Sequence, residues 1–306
     1  MTLAPIVIFC YNRADHLQKV VESLLVNEEA INSDLIIYSD GAKEGSDDTP
    51  ILQVRDYIRQ ISGFASIKIV EQPRNLGLAK SVVSGVTEVV NQYGKIIVLE
   101  DDTVVSPFFL RFMNDALDRF QDNDDVACIC AYLYPVKQKL PDVFFIYGAD
   151  CAVWATWKNQ WQLFEPDGQK ILDRIIADKS AWRFEFDGSY PYIAMLEDQI
   201  AGKNNSWAIR WLGSAFIHNK LTLYPGKSLS YNIGWDNSGT NCGAEDSYNV
   251  DLCMDPISIP KGIIPKHSQK GYRAFRSFFV SLNGWPYLKR IRRRFKRRLK
   301  YFLTNK

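Results

Sequence analysis

Glu100-Asp101-Asp102 closes a short apolar run, Ile96 to Leu99. Three adjacent carboxylates repel one another unless a cation or polar ligand meets them, and hard oxygen donors suit Mg2+ or Mn2+. A metal-bound diphosphate answers that description; a solvated acidic turn capping the next helix is the plainer alternative. Three more polar pairs stand just past apolar runs: Asn12-Arg13, Asp40-Gly41 and Arg74-Asn75. Ligands of open parallel sheets bind outside the carboxyl ends of the strands, so these four positions are expected to face one crevice.

The elements that must position them alternate along the chain. Pro5 to Tyr11 reads as a strand, after which Asn12 is placed to cap a helix with Leu17, Val20, Val21, Leu24 and Leu25 on its apolar face. Leu35 to Ser39 is a second strand, and helical spacing over Ile51 to Ile61 follows it across a Gly- and Asp-rich loop. Ser66 to Val70 is the third, backed by a helix that buries Ala79, Val82, Val83, Val86, Val89 and Val90. Ile96 to Leu99 is the fourth. Ser106-Pro107 then supplies an N-cap and a proline at the first helical position, opening a helix that buries Phe109, Phe112, Met113, Ala116 and Phe120. Four strand and helix pairs predict an α/β fold with a mostly parallel sheet flanked by helices.

Past residue 125 the pattern changes to short strands, Val126 to Ala131 and Phe144 to Tyr147, with aromatic loops and two or three helices between 168 and 218. No low-complexity linker and no repeat interrupts it. The expectation is one domain in two parts, 1–125 and 126–284, followed by a tail, 285–306.

At 306 residues, 46% hydrophobic and 24% charged, the chain has the make-up of a globule with its own core, which excludes disordered, collagen-like and coiled-coil classes. No window approaches ~18 uninterrupted apolar residues, and Ile6 to Cys10 is too short, with no basic flank, for a signal peptide. Six cysteines without a repeated Cys-x-x-Cys point to a reducing, cytosolic setting. No Gly-x-Gly-x-x-Gly follows the first strand, and no Gly-x-x-x-x-Gly-Lys-Ser/Thr occurs anywhere, so dinucleotide dehydrogenases and P-loop NTPases lack their signatures.

Taken in order, Pro5-Ile6-Val7-Ile8-Phe9-Cys10-Tyr11-Asn12-Arg13, Ser39-Asp40-Gly41, Arg74-Asn75-Leu76-Gly77-Leu78-Ala79 and Val98-Leu99-Glu100-Asp101-Asp102 resemble the landmarks of GT-A glycosyltransferases, most of all the family 2 bacterial sugar transferases. Glu-Asp-Asp followed by Ser-Pro-Phe-Phe is also similar to the acidic motif of the animal N-acetylglucosaminyltransferase that begins N-glycan branching. The resemblance covers residues 5–120 and continues more weakly in Trp154-Ala155-Thr156-Trp157 and Ser206-Trp207-Ala208-Ile209-Arg210-Trp211. It implies a nucleotide-sugar donor with UDP preferred, Mn2+ or Mg2+, and inversion at the anomeric carbon. It makes 1–125 the nucleotide-sugar-binding half and 126–284 the acceptor-binding, catalytic half of the same domain.

Carried over position by position, the resemblance implies that Asn12, Arg13 and Asp40 lie near the base and ribose, and that Arg74 and Asn75 belong to the loop closing over the nucleotide. Asp102 matches the direct metal ligand, with Asp101 and Glu100 near ribose and donor sugar. A metal bridging two phosphates would neutralise the leaving nucleoside diphosphate.

An inverting transfer also needs a carboxylate on the acceptor side to take the hydroxyl proton. The chain departs from its relatives here, because Trp207-Ala208-Ile209-Arg210-Trp211 holds no acid. The candidates are Asp198 and Asp236, each with the alternative of a surface or turn carboxylate. The missing acid also keeps open a catalytically silent nucleotide-sugar or glycan-binding protein on the same fold. Trp154 and Trp235 are the expected acceptor-stacking rings, whereas Trp207 and Trp211, four apart, read as core. His218 and His267 are lesser candidates for a metal or phosphate contact.

Residues 285–306 hold ten Lys or Arg and no acid, leaving 27 basic against 35 acidic residues, a net −8, in the rest. Trp285, Leu288, Ile291, Phe295, Leu299 and Phe302 recur at three- and four-residue steps, the pattern of a helix lying on an anionic membrane. Nucleic acid ranks below the membrane as partner, since phosphate binding needs no apolar stripe; a helix packed back on the body is the other alternative. The reading is a cytoplasmic enzyme peripheral to the inner face of the cell membrane, acting on a glycan or a lipid-linked saccharide.

Overall fold

Every residue of β1 (Ile6–Cys10) is buried, which requires cover on both faces of its sheet. Successive side chains of a strand point to opposite faces. Accordingly Ile6, Ile8 and Cys10 enter a core with α1 (Ala14–Leu25), while Val7 and Phe9 enter a second core on the other face. The computed structural model describes residues 2–236 and 246–283.

β2 (Asp34–Ser39), α2 (Thr49–Ile58), β3 (Ser66–Glu71), α3 (Leu78–Tyr93) and β4 (Lys95–Glu100) complete the expected alternation. After β5 (Thr103–Val105) and α4 (Phe109–Phe120) come β6 (Val126–Cys130), β7 (Val143–Tyr147) and β8 (Trp154–Trp157). α5 (Lys158–Trp161), α6 (Gly168–Ala177), α7 (Ala181–Phe184), α8 (Tyr192–Ile200) and α9 (Trp207–Ile217) follow, then β9 (Leu221–Pro225), β10 (Ser230–Asn232) and α10 (Gln269–Asn283).

Among the described residues eight strands form one sheet in the order β3-β2-β1-β4-β8-β6-β9-β7. β3, β2, β1 and β4 are parallel; β8 runs against β4 and β6, and β7 against β9. Helices α1, α2 and α4 bury one face, and α3, α5 and α9 the other. Ile171, Ile175, Leu196 and Phe216 join α6, α8 and α9 in a satellite cluster, while Phe275 and Phe279 of α10 pack beside β7 and β9. The α/β expectation of a mostly parallel, helix-flanked sheet is met.

Three local expectations are corrected. Asn12 does not cap α1; Arg13 holds that position without a side-chain cap bond, because its guanidinium is drawn to acidic partners. The helix after Ser106-Pro107 starts later, at Phe109. The Ser106 hydroxyl instead donates to the Cys253 carbonyl at 2.6 Å and accepts the Phe108 N–H at 3.2 Å. Between 168 and 218 there are four helices rather than two or three, broken where Lys179, Phe186 and Asp187 take positive φ.

The five described cysteines are free thiols. Among the described residues no helix is long and apolar enough to cross a membrane. The tail expected over 285–306 lies outside the described residues.

Candidate active site

The carboxyl ends of β1, β2 and β4 and the start of α3 open onto a cavity of about 870 Å³. β4 delivers the acids. The Asp101 carboxylate accepts the Tyr11 N–H at 3.2 Å and a short contact from Arg13 Nη2. The same nitrogen donates to Asp102 Oδ2 at 2.9 Å. Asp102 Oδ1 accepts Asn232 Nδ2 at 3.2 Å, and the Asp102 carbonyl accepts the Ile233 N–H at 2.7 Å. β10 thus lies against β5, with Gly234 beside the Asp102 carboxylate and Arg13.

Burial, then the Asp102 and Asp101 charges, push the Glu100 carboxyl up to about 8, with Arg13 opposing. Burial likewise raises Asp101 despite the guanidinium beside it. Burial alone would loosen the Arg13 proton, but the two aspartates outweigh it and drive its pKa up. With Glu100 protonated, Asp101 and Asp102 still outnumber the one guanidinium they share, which leaves negative charge in hard oxygen donors and fits a divalent cation. Among the described residues no group of three or more His, Cys, Asp or Glu side chains is arranged to hold a metal ion. The protein's share would be one or two carboxylates, the usual way of holding Mg2+ beside substrate phosphates.

Asp40 is 7% exposed and accepts the N–H groups of Gly41 (2.9 Å), Leu76 (2.8 Å) and Gly77 (2.9 Å). It ties the loop after β3 to the end of β2, and Asn75 Nδ2 adds a bond to the Gly41 carbonyl at 2.9 Å. A β-carbon at Gly41 would lie 2.5 to 2.8 Å from the Arg74 backbone, so the two loops meet where only glycine fits.

Asn12, Arg13, Asp40, Asn75, Glu100, Asp101 and Asp102 all line the cavity. Arg74 is exposed and does not; only its main chain takes part, packed on Gly41. Asp198 is not brought to the cavity either. Its side chain is about half exposed and ion-paired with Lys203 at 3.1 Å. Asp236 is 47% exposed and meets His16 Nε2 at 3.1 Å, one residue beyond Trp235, which does line the cavity.

Trp154 is corrected from acceptor ring to core. It is 1% exposed among Trp161, Trp207 and Trp211, because alternation along β8 aims it into the α3 and α9 core. Trp235 stacks on Tyr248 with ring centroids 5.1 Å apart. His218 and His267 are not among the cavity's lining; His267 stacks on Tyr147 at 4.7 Å.

Sequence reasoning missed the far half of the cavity. Tyr134, Tyr190, Tyr192, Tyr224 and two phenylalanines of α10 line it together with Asp150. Asp150 Oδ2 accepts the Tyr134 and Tyr224 hydroxyls, each at 3.1 Å, and Oδ1 accepts the Ala152 N–H at 3.1 Å. Burial raises its pKa, those donors opposing. The one available signal was a carboxylate three residues past the apolar run Phe144 to Tyr147.

No curated protein matches the chain. It is similar in structure to the crystal structure of S. aureus TarS, with 13% identity, 45% of this chain and 23% of that one covered, and a TM-score of 0.32. It is also similar to the mannosyltransferase PcManGT from Pyrobaculum calidifontis in complex with GDP-Man and Mn2+ (10% identity, 56% and 47%, TM-score 0.33). A UDP-glucose pyrophosphorylase complexed with UDP-glucose gives 13% identity, 76% and 94% coverage and a TM-score of 0.38. The chain spans about a quarter to a half of the length of the first two. The model of "Glycosyl transferase family 2" matches residues 6–162, just over half of the chain, and takes in β1 to β4 with the Asp40 and Glu100-Asp101-Asp102 loops: the chain belongs to glycosyl transferase family 2 and has the GT-A fold.

Proposed function

We propose that this protein is a metal-dependent, inverting glycosyltransferase. It moves a hexosyl or N-acetylhexosaminyl group from a nucleotide sugar, UDP preferred, to a glycan or lipid-linked saccharide in cell-surface polysaccharide synthesis. The observation that carries the reading is the Glu100-Asp101-Asp102 turn, acid-rich beyond what Arg13 neutralises and lining a cavity with room for a nucleotide sugar.

Residues 1–125 form the donor half and 126–284 the acceptor half in this reading. Asn12, Arg13 and Asp40 attend the base and ribose, with Asp40 acting through the loop it clamps. Arg74 and Asn75 belong to that loop. Asp102 is the metal ligand, and Asp101 and Glu100 stand near ribose and donor sugar. A bound Mn2+ or Mg2+ supplies charge neutralisation to the leaving diphosphate. Of the two acceptor-side carboxylates named from sequence, Asp236 follows Trp235, which lines the cavity, and meets His16, while Asp198 is engaged with Lys203.

The basic, apolar-striped segment 285–306 supports attachment to an anionic membrane surface. At ~1 kcal/mol per basic residue near a charged leaflet, half of its ten charges suffice. That segment, and no transmembrane helix, underlies the proposed site at the inner face of the cell membrane; nucleic acid is not proposed as a partner.

Sugar transfer is tested by incubating the protein with UDP-glucose, UDP-N-acetylglucosamine and GDP-mannose, with and without Mn2+, and measuring release of nucleoside diphosphate. Metal-dependent release lost in Asp102→Asn is expected. A silent nucleotide-sugar-binding protein is the second reading, favoured by the Arg13 guanidinium seated on both aspartates; it predicts nucleotide binding with no release.

A further inference from the structure

Among the described residues five carboxylates line the cavity: Asp40, Glu100, Asp101, Asp102 and Asp150. Asp40 follows β2, Glu100 ends β4, and Asp101 and Asp102 follow it. Asp40 is spent on main-chain N–H groups, and Asp101 and Asp102 on Arg13. Asp150 stands apart, in the segment that crosses from the end of β7 to the start of β8.

That crossing is pinned on the sheet. Thr222 Oγ1 donates to the Gly148 carbonyl at 2.7 Å, Cys128 Sγ to the Asp150 carbonyl at 3.2 Å, and the Ala131 N–H to the Val153 carbonyl at 2.9 Å. The chain then enters β8, where Trp154 pairs with Val98, two residues before Glu100. Asp150 is therefore fixed to the rim that carries the acid turn, on its far side from the nucleotide loops.

Its surroundings differ in kind. Among the described residues no cation pairs with Asp150; its side-chain partners are two neutral phenols. A carboxylate so enclosed, without a counter-charge, keeps a strong affinity for a proton. Tyrosine and phenylalanine rings around a small polar group are also the chemistry of a saccharide subsite.

We propose that Asp150 is the base of the transfer and that the aromatic half of the cavity holds the saccharide end of the acceptor. The assignment rests on the transferase reading above. The acceptor hydroxyl oxygen forms a bond to the anomeric carbon as the bond from that carbon to the phosphate oxygen breaks. Its electron pair leaves with the nucleoside diphosphate, and the hydroxyl proton passes to the Asp150 carboxylate. Tyr134 and Tyr224 are positioning residues that hold Oδ2, leaving Oδ1 with the Ala152 N–H as its hydrogen-bonded partner.

The test compares Asp150→Asn, Asp150→Ala and the pair Tyr134→Phe/Tyr224→Phe with wild type. It reads Mn2+-dependent release of nucleoside diphosphate from the same three nucleotide sugars, water being the acceptor, and thermal stabilisation by UDP and GDP. Both Asp150 variants are expected to keep the nucleotide-induced stabilisation and lose turnover by about 10²- to 10⁴-fold. Added formate is expected to restore part of the turnover in Asp150→Ala, and the tyrosine pair to stay within about tenfold of wild type. Turnover in Asp150→Asn within about threefold of wild type overturns the assignment. So does equal loss in the tyrosine pair without formate rescue, the mark of a purely structural carboxylate. Nucleotide stabilisation without turnover in wild type overturns the transferase reading and the assignment with it.

Discussion

Arg13 donates from a single nitrogen, Nη2, to both Asp101 and Asp102, the second contact at 2.9 Å, so one guanidinium joins the loop after β1 to the turn after β4. Its other terminal nitrogen, Nη1, is buried without a hydrogen-bond partner among the described residues. A buried donor left unmade is costly, which suits a group waiting for an acceptor on a ligand.

Replacing Arg13 by Met leaves Asp101 and Asp102 facing each other without their cation. Losing one side of such a pair costs about 3 kcal/mol. Arg13→Met is expected to melt several degrees below wild type and to recover more than wild type when Mn2+ is added. Thermal denaturation with and without the ion checks it.

Glu100 has its folded pKa pushed up to about 8, against an ordinary value of 4.5. Between those values the unfolded chain releases the proton and the folded one keeps it, so this group's contribution to stability falls as pH rises from about 4.5 to 8. Glu100→Gln in metal-free protein is expected to raise the melting temperature relative to wild type, by more at pH 8.5 than at pH 5. An equal difference at both pH values would contradict the argument.

Gly234 sits so close to Asp102 that a β-carbon there would collide with the Asp102 carboxylate and press on Arg13 Nη1. The closest atom, at 2.4 Å, is a carboxylate oxygen at a side-chain end, so the fold can absorb the change while the acid turn cannot keep its geometry. Gly234→Ala is expected to lower metal-dependent nucleotide stabilisation at least tenfold in apparent affinity with little change in the melting temperature of the free protein.

At Gly41 the obstacle is main chain, 2.5 to 2.8 Å away in Arg74, and neither loop can yield without breaking the Asp40 clamp. Gly41→Ala is therefore expected to cost about 1 to 3 kcal/mol of stability, measurable by denaturant unfolding, and to weaken nucleotide binding as well.

Residues 5–120 were legible because each of their determinants is local. An apolar run such as Ile6 to Cys10 must be covered on both faces, and the polar pair after it must fall at a strand end. The part beyond residue 125 depends on contacts between distant segments. Trp154 looked available beside a Gly- and Asp-containing loop, yet pairing with Val98 and Cys130 turns it into the core. Asp198, on α8, is met by Lys203 just past the helix end, which no spacing rule announces. Asp150 follows a strand running against its neighbour, so the rule that gathers sites at the ends of parallel strands passed over it.

The most direct measurement is thermal stabilisation by UDP and GDP, with and without Mn2+, on wild type and Asp102→Asn. Binding to the folded state must raise the melting temperature. The account predicts a rise that requires the metal and disappears in Asp102→Asn while the variant stays folded. A rise of the same size in Asp102→Asn, or none in wild type with either nucleotide, would contradict it.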